Sequence, residues 1–395
     1  MNLRNARKAQ VYLVAFFLLC FFTQTTQAAS NSSGFQPIID VQLQHEDNVR
    51  RAPRHSQQSD SILILKMDLP LRWDFGKHKL DVTYEGEYSQ YAKQKALNYN
   101  DHELRSRFLL DNSYRLNTEY ELGFIREHDI PNDNDVVANL TGKPNRWKEK
   151  YVKANLLYGK NASQGQVITK LEYKQRNYTN NNREFLDSNR ISLLGAFYYR
   201  ITSKTRIPFE LNIINYDYQN SPLETGLSNN EYRYLTGITW DATAKSTGIL
   251  QLGLLEKKYD NSLYNNTSIF VVRLNGVWKP NTFTTLMFGV IRDSKESLQA
   301  FSPAYIQNQL HAKITHMIRP RTTFFFGARY TNAETKDLAG IKNNSFSAQV
   351  KVQYSLLRWL YGSIGYKHIG RDSDFNNLDF KTNIFSLEIQ ARFND

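Results

Sequence analysis

The groups that could do chemistry in this chain are few and poorly spaced for it. Eight histidines occur, at positions 45, 55, 78, 102, 128, 311, 316 and 368, and none falls in an H-E-x-x-H helix motif. The single cysteine, Cys20, lies in an N-terminal apolar run, so a thiolate zinc site cannot form. Neither G-x-S-x-G nor a phosphate-binding G-x-x-x-x-G-K-[ST] loop is present. The nearest acid–base grouping is His128 with Asp129 and Asp133. The run Asp129-Ile130-Pro131-Asn132-Asp133-Asn134-Asp135 has the outline of a calcium loop. It lacks the glycine and distal glutamate that close one around the ion, so a solvated loop is expected. No catalytic residue, cofactor or metal is assigned, and no enzyme is expected. What remains is charge: 50 Lys+Arg against 38 Asp+Glu give +12, which attracts anions.

Residues 1–28 read as a cleaved secretory signal. Arg4, Arg7 and Lys8 precede an apolar stretch from Val11 to Phe22, too short to span a bilayer as a helix, and Thr26-Gln27-Ala28 offers small residues at the cleavage positions. Leu19 before Cys20 does not suit a lipidation signal. Loss of this segment removes the cysteine and three cations, leaving +9. An exported chain of that kind meets no nucleic acid.

Residues 29–395 carry a period-two pattern almost throughout. Phe385, Leu387, Ile389, Ala391 and Phe393 alternate with Ser386, Glu388, Gln390 and Arg392. Leu80, Val82, Tyr84, Gly86 and Tyr88 alternate with Asp81, Thr83, Glu85, Glu87 and Ser89. Alternation puts the two sets on opposite faces of a sheet. It predicts eighteen strands at roughly 36–47, 60–74, 78–91, 102–115, 118–128, 147–159, 165–178, 188–201, 205–218, 231–242, 247–260, 266–279, 282–294, 305–318, 321–333, 343–356, 359–371 and 380–393. Short connections, such as Gly76-Lys77, Asn117, Ser203-Lys204 and Pro320, alternate with long polar ones, of which 129–146 is the longest. An even strand count puts both termini on the short-turn side. The fold class is therefore all-β: a single transmembrane antiparallel outer-membrane β-barrel of about 18 strands with short periplasmic turns and longer extracellular loops. A propeller or solenoid would repeat a motif per blade or coil, and none is found.

Several residue types refine this picture. Trp73, Trp240, Trp278 and Trp359 beside short turns, and Trp147 beside a long loop, suit the membrane–water boundary. Tyr88, Tyr91, Tyr99, Tyr178, Tyr216, Tyr218, Tyr259 and Tyr264 near the outer ends suggest an aromatic girdle there, with sugar-stacking platforms as the alternative. Pro70 and Pro208 lie within predicted strands and call for bulges or strand ends.

If the apolar set faces lipid, the polar set lines the lumen. Glu85, Glu87 and Glu121 then point inward with Asp81, Glu103, Glu119 and Glu127, and Arg105 and Arg107 lie among them. Lys170, Lys174, Arg176, Arg190, Arg273, Lys313, Lys351, Lys367 and Arg392 point inward on later strands with few acids. The expectation is a mixed acidic wall facing a basic one that draws anionic solutes; the plainer alternative is mutual neutralisation across water.

At the first hairpins the order Glu46-Asp47-Asn48-Val49-Arg50, Ser59-Asp60, Gly76-Lys77-His78-x-Leu80, then Tyr84, Tyr88 and Tyr91, then Asn98-Tyr99-Asn100-Asp101-His102 becomes familiar. It resembles the putative β-barrel porin (type 2) family associated with exopolysaccharide and biofilm-matrix operons of Gram-negative bacteria. The resemblance is sharpest over residues 34–110 and architectural beyond. It implies a channel in the cell outer membrane that aids export of a capsular or matrix polysaccharide. The partners it implies are outer-membrane lipid, the polysaccharide (acidic if the basic wall serves it), a periplasmic polysaccharide export protein and the barrel assembly machinery. It carries no catalytic residue. A diffusion porin for anions or oligosaccharides fits the same architecture, with loop 129–146 as its constriction.

Overall fold

The computed structural model describes residues 33–130, 142–160, 162–220, 226–243, 245–297, 303–335, 340–374 and 378–393. The signal segment 1–28, the centre of loop 129–146 with Asp133, and Asn394-Asp395 lie outside the described residues.

The strands run β1 (Gly34–Phe35), β2 (Ile38–Glu46), β3 (Asp60–Phe75), β4 (His78–Tyr91), β5 (Tyr99–Asp111), β6 (Leu116–His128), β7 (Arg146–Tyr158), β8 (Gly165–Tyr178), β9 (Ser188–Thr202), β10 (Thr205–Tyr218), β11 (Asn229–Thr243), β12 (Ser246–Tyr259), β13 (Thr267–Asn281), β14 (Thr284–Glu296), β15 (Ala304–Arg319), β16 (Thr322–Thr335), β17 (Lys342–Ser355), β18 (Leu360–Ser373) and β19 (Phe380–Arg392). Each pairs antiparallel with the next, and β19 returns to β2 from Ile384↔Glu46 to Arg392↔Ile38, closing the ring. Phe35↔Leu71 and Ile38↔Asp68 share one register on β3, so β1 and β2 are a single strand interrupted at Gln36-Pro37. The barrel therefore has eighteen strands. Closure leaves no edge, which is what a backbone in hydrocarbon requires.

The alternation decides the faces as expected. Leu43, Leu122, Ile364 and Leu387 are 52–61% exposed on the outer surface, a burial pattern that only lipid makes favourable. Their neighbours Gln42, Glu121, Ser363 and Glu388 face inward. In the first hairpin, Gly76 takes φ +63° at the first central position of a two-residue turn that closes on Phe75↔His78, as a type II′ turn demands.

Three expectations need correction. The turn assigned to Asn117 is formed by residues 112–115, and Asn117 pairs with Asp111 inside the ladder. Pro70 makes no bulge; it pairs with Thr83 in regular register and lies opposite the interruption of the first strand. Pro208 makes none either. It keeps register with Tyr198; the β9–β10 register shifts two residues earlier, between Thr205 and Arg206, and the β10–β11 ladder lapses between Arg206↔Thr239 and Phe209↔Thr236.

Candidate functional site

The inner wall is a lattice of ion pairs between neighbouring strands. Arg107 meets Asp81 at 2.6 Å, Arg105 meets Glu85 at 3.0 Å, and Lys66 meets Glu87 at 2.9 Å. Lys153 joins Glu121 at 2.8 Å, Arg176 joins Glu149 at 2.7 Å, and Glu149 and Glu172 take Lys174 at 3.4 and 3.3 Å. Arg190 reaches Glu172 at 3.5 Å, and Lys351 reaches Glu388 at 3.1 Å.

Every predicted lumen residue sits on the inward parity, but the segregated walls do not survive. Of the cations assigned to a basic wall, Lys174, Arg176, Arg190, Arg273 and Lys351 are neutralised by Glu149, Glu172, Glu210, Asp293 and Glu388, of which spacing alone had placed only Glu388 on the polar face. Arg392 donates to Gln390 and stacks 4.3 Å over Tyr361. Mutual neutralisation is the better description for most positions.

Lys170 and Lys313 differ. Among the described residues neither has a carboxylate within ion-pair distance. Their fields reach the lumen water uncompensated. Lys170→Gln with Lys313→Gln is expected to move the reversal potential toward cation selectivity in low salt. Lys351→Gln alone should move it less. The shift should fade as salt rises, since screening acts over about 8–10 Å near physiological ionic strength. Planar-bilayer reversal potentials in a salt gradient check this.

The tryptophan and tyrosine assignments also need correction. Trp147 does not sit at the lipid boundary. It points inward, is buried, donates to Asp129 at 3.0 Å, and carries the Arg176 guanidinium 3.9 Å over its ring. Burial holds the Asp129 carboxyl, just above β6, higher than the usual range, against hydrogen bonds from Asn145 and Trp147. Of the acid–base grouping suggested for His128, Asp133 lies outside the described residues; His128 Nδ1 turns to Asp101 at 2.8 Å, and Asp129 accepts from Trp147 instead. Tyr91, Tyr99, Tyr178, Tyr216, Tyr218 and Tyr259 lie on inward positions, so they are no lipid girdle. Tyr88 does face outward.

Those inward aromatics hold extracellular segments inside the mouth. Trp147, Tyr178 and Tyr218 pack with Leu186 and Leu227 from two loops. Val49 and Leu97 from two others pack on Ile62, Ile64 and Tyr91. Burying apolar side chains at about 25 cal/mol per Å² stabilises each inward fold.

The third inward element is the upper part of the β14–β15 hairpin. The β13–β14 ladder stops at Val272↔Arg292, while β12–β13 continues to Lys257↔Thr267 and β14–β15 to Glu296↔Ala304. The hairpin has therefore parted from β13, while its other edge stays on β16 up to Tyr305↔Thr335. Asp293, Ser294, Ser297 and then Ala304, Tyr305, Ile306 and Gln307 are all buried, whatever their parity. Apart from exposed Lys295, which lines the cavity beside it, the hairpin is covered on both faces and so lies inside the barrel. Ile306 packs on Leu235, Leu255, Ile269 and Val271, the inward residues of β11–β13.

Charge pins it there. Asp293 accepts from Arg233 at 2.7 Å and from Arg273 at 3.3 Å. Glu296 pairs with Lys257 and accepts from Tyr218 at 3.1 Å and Asn229 at 3.3 Å. Lys257 also meets Glu231 at 3.4 Å, and both side chains are only 1% exposed. A cavity of about 410 Å³ lies against the hairpin, lined by Arg190, Arg233, Arg273, Glu231, Asp293 and Glu296 among others. Lower down, Met287 and Met317 point inward yet are 45% and 40% exposed, so that part of the lumen is open to water. Among the described residues the channel is open to water on the periplasmic side, and the inward segments lie at the outer mouth. Parity predicts the inward side of Glu231, Arg233 and Lys257; nothing in the sequence marks the departure of Asp293–Glu296 from the wall.

Comparison with known proteins agrees with this architecture. The Pseudomonas aeruginosa channel OccK2 (OpdF), solved in complex with glucuronate, aligns with a TM-score of 0.51 at 10% identity, covering 93% of this chain and 100% of that one. OpdL of the same organism gives 0.49 at 10% identity over 92% and 99% of the two chains. OpdK, an outer-membrane protein also of P. aeruginosa, gives 0.47 at 9% over 91% and 99%. At such identities these likenesses concern the fold. A search of curated protein sequences returned no match. The family described as putative β-barrel porin 2 matches residues 34–393, nearly the whole barrel. The chain belongs to that family of outer-membrane β-barrels.

Proposed function

We propose that this porin aids export of an exopolysaccharide, of capsule or biofilm-matrix type, across the outer membrane. The observation that carries the reading is the asymmetry of the lumen. A barrel of eighteen strands leaves an aqueous channel. Here, among the described residues, its periplasmic part is wet and lined by charged, hydrogen-bonding side chains, and the inward segments lie at the outer mouth. A hydrated polymer entering from the periplasm would keep its water and meet resistance only at its exit. The partners that go with the reading are a periplasmic polysaccharide export protein at the short-turn face and the assembly machinery that inserts the barrel. Deleting the gene should leave polymer in the periplasm and strip the surface matrix, with permeability to small solutes unchanged. Normal surface matrix in the deletion strain would rule the reading out.

A second reading rests on the inward hairpin. A constriction at the mouth sorts small solutes, as in a diffusion porin for anions or oligosaccharides. Steady conductance with selectivity for one small anion, and poor growth of the deletion strain on a single nutrient, would favour it.

A further inference from the structure

We propose that Arg233, Arg273 and Lys257 form a binding site for the carboxylates of an acidic saccharide, and that Asp293 and Glu296 of the inward hairpin occupy this site as an internal substitute. The inference deepens the export reading, on which it rests, by naming a substrate class: uronate-bearing polymer.

The charge balance of the fixed wall is the first argument. Arg233, Arg273 and Lys257 stand on β11, β13 and β12, and the wall itself supplies only Glu231 and Glu210 against them. Three cations against two carboxylates leave the wall short of one anion. The hairpin brings two carboxylates, Asp293 and Glu296, and one cation, Lys295, to the same cavity, a net of one anion, through side chains whose chemistry is that of a uronate carboxylate. Arginine's planar fork suits a carboxylate from either source.

The second argument is mechanical. The strands Asp293–Glu296 and Ala304–Gln307 have no ladder to β13; one edge of the hairpin stays on β16 through Tyr305↔Thr335, and toward β11–β13 it is held by the Ile306 contacts and these ion pairs. Removing the ion pairs weakens the hold on β11–β13 while the β16 ladder keeps the hairpin anchored along its other edge. The adjoining cavity, about 410 Å³, falls within the range of about 300–1,000 Å³ usual for small-molecule sites. It opens beside Arg190, Arg233 and Arg273, so a sugar acid can approach the guanidinium groups while the hairpin is still docked. A ligand that binds the wall better when the hairpin is away shifts the hairpin outward by that difference in affinity. Polymer and latch then exchange places on the same cations, and the mouth opens only when acidic polymer is present.

Single-channel recording on the full, refolded barrel tests this. Oligogalacturonate added at the short-turn side should reduce dwell in the low-conductance level by about tenfold, a usual size for coupling between sites. Neutral dextran oligomers of equal length should leave it unchanged. Asp293→Asn with Glu296→Gln should lower that dwell without any saccharide, and Arg273→Gln should raise the half-maximal oligogalacturonate concentration by about tenfold. Wild-type channels that ignore oligogalacturonate, or answer dextran equally, overturn the proposal even if the carboxylate variants do not assemble. The cell assay separates the two readings. A deletion that strips surface matrix, with channels blind to oligogalacturonate, removes the latch and keeps export. A deletion that leaves the matrix normal, with responsive channels, removes export.

Discussion

Leu387→Arg should block assembly of the barrel, whereas Ser386→Arg, one residue earlier, should not. Leu387 lies at the middle of β19, 58% exposed, between Leu43 on β2 and Ile364 on β18. Those neighbours are themselves 52% and 61% exposed, which places the residue in the apolar band around the barrel. A guanidinium there faces hydrocarbon, at a cost of about 2–4 kcal/mol near mid-depth. Position 386 points to the lumen beside Gly365, where water and carboxylates receive the same group. Heat-modifiable mobility on gels and urea unfolding in lipid vesicles read the difference directly. A Ser386→Arg variant less stable than Leu387→Arg would mean that the parity of the closing strand is inverted, and with it the whole assignment of wall and lumen; equal stability would mean that position 387 does not face hydrocarbon.

Lys257→Met should destabilise the barrel's outer half by about 3–5 kcal/mol, the usual cost of removing one partner from a buried ion pair. The Lys257 side chain is 1% exposed and serves two carboxylates, Glu231 and Glu296. Without it Glu296 keeps only Tyr218 and Asn229, both neutral donors. Pairing the change with Glu296→Met should restore most of the loss, because replacing both charges by apolar groups of similar volume is often neutral. The double variant should also conduct more, since one of the hairpin's two carboxylate anchors on β11–β13 is then gone. Urea unfolding followed by tryptophan fluorescence, with conductance measured on the same preparations, checks both expectations. Additive losses in the double variant would show that the two side chains do not act as a pair.

The barrel was legible in the chain because a sheet's two faces report on two solvents. The strand 380–393 alternates Phe385, Leu387 and Ile389 with Ser386, Glu388 and Gln390 because lipid and water penalise opposite residues at adjacent positions. That constraint is local and repeats in each strand, so strand number, turn side and the inward parity of Glu85, Lys174 and Lys351 could all be read from it. What parity cannot carry is the partner. Lys351 is inward by pattern, but its pairing with Glu388 depends on β17, β18 and β19 lying side by side at one height. The same holds for Arg176 with Glu149 and for Arg273 with Glu210 and Asp293. A basic wall inferred from a count of cations therefore dissolved largely into pairs once register set their neighbours, while Lys170, Lys313 and Arg392 have no carboxylate within ion-pair distance among the described residues. The mouth was further from reach. Trp147 and Tyr218 look like boundary aromatics, since their types suit a membrane interface as well as an interior cluster. Their inward burial follows from loops carrying Leu186 and Leu227 that fold back over them. Asp293–Glu296 continues the strand pattern without a break, so its departure from β13 has no local signal. It is decided by distant groups, Arg233, Lys257, Arg273 and the apolar inner face of β11–β13, which meet the hairpin only after the ring has closed.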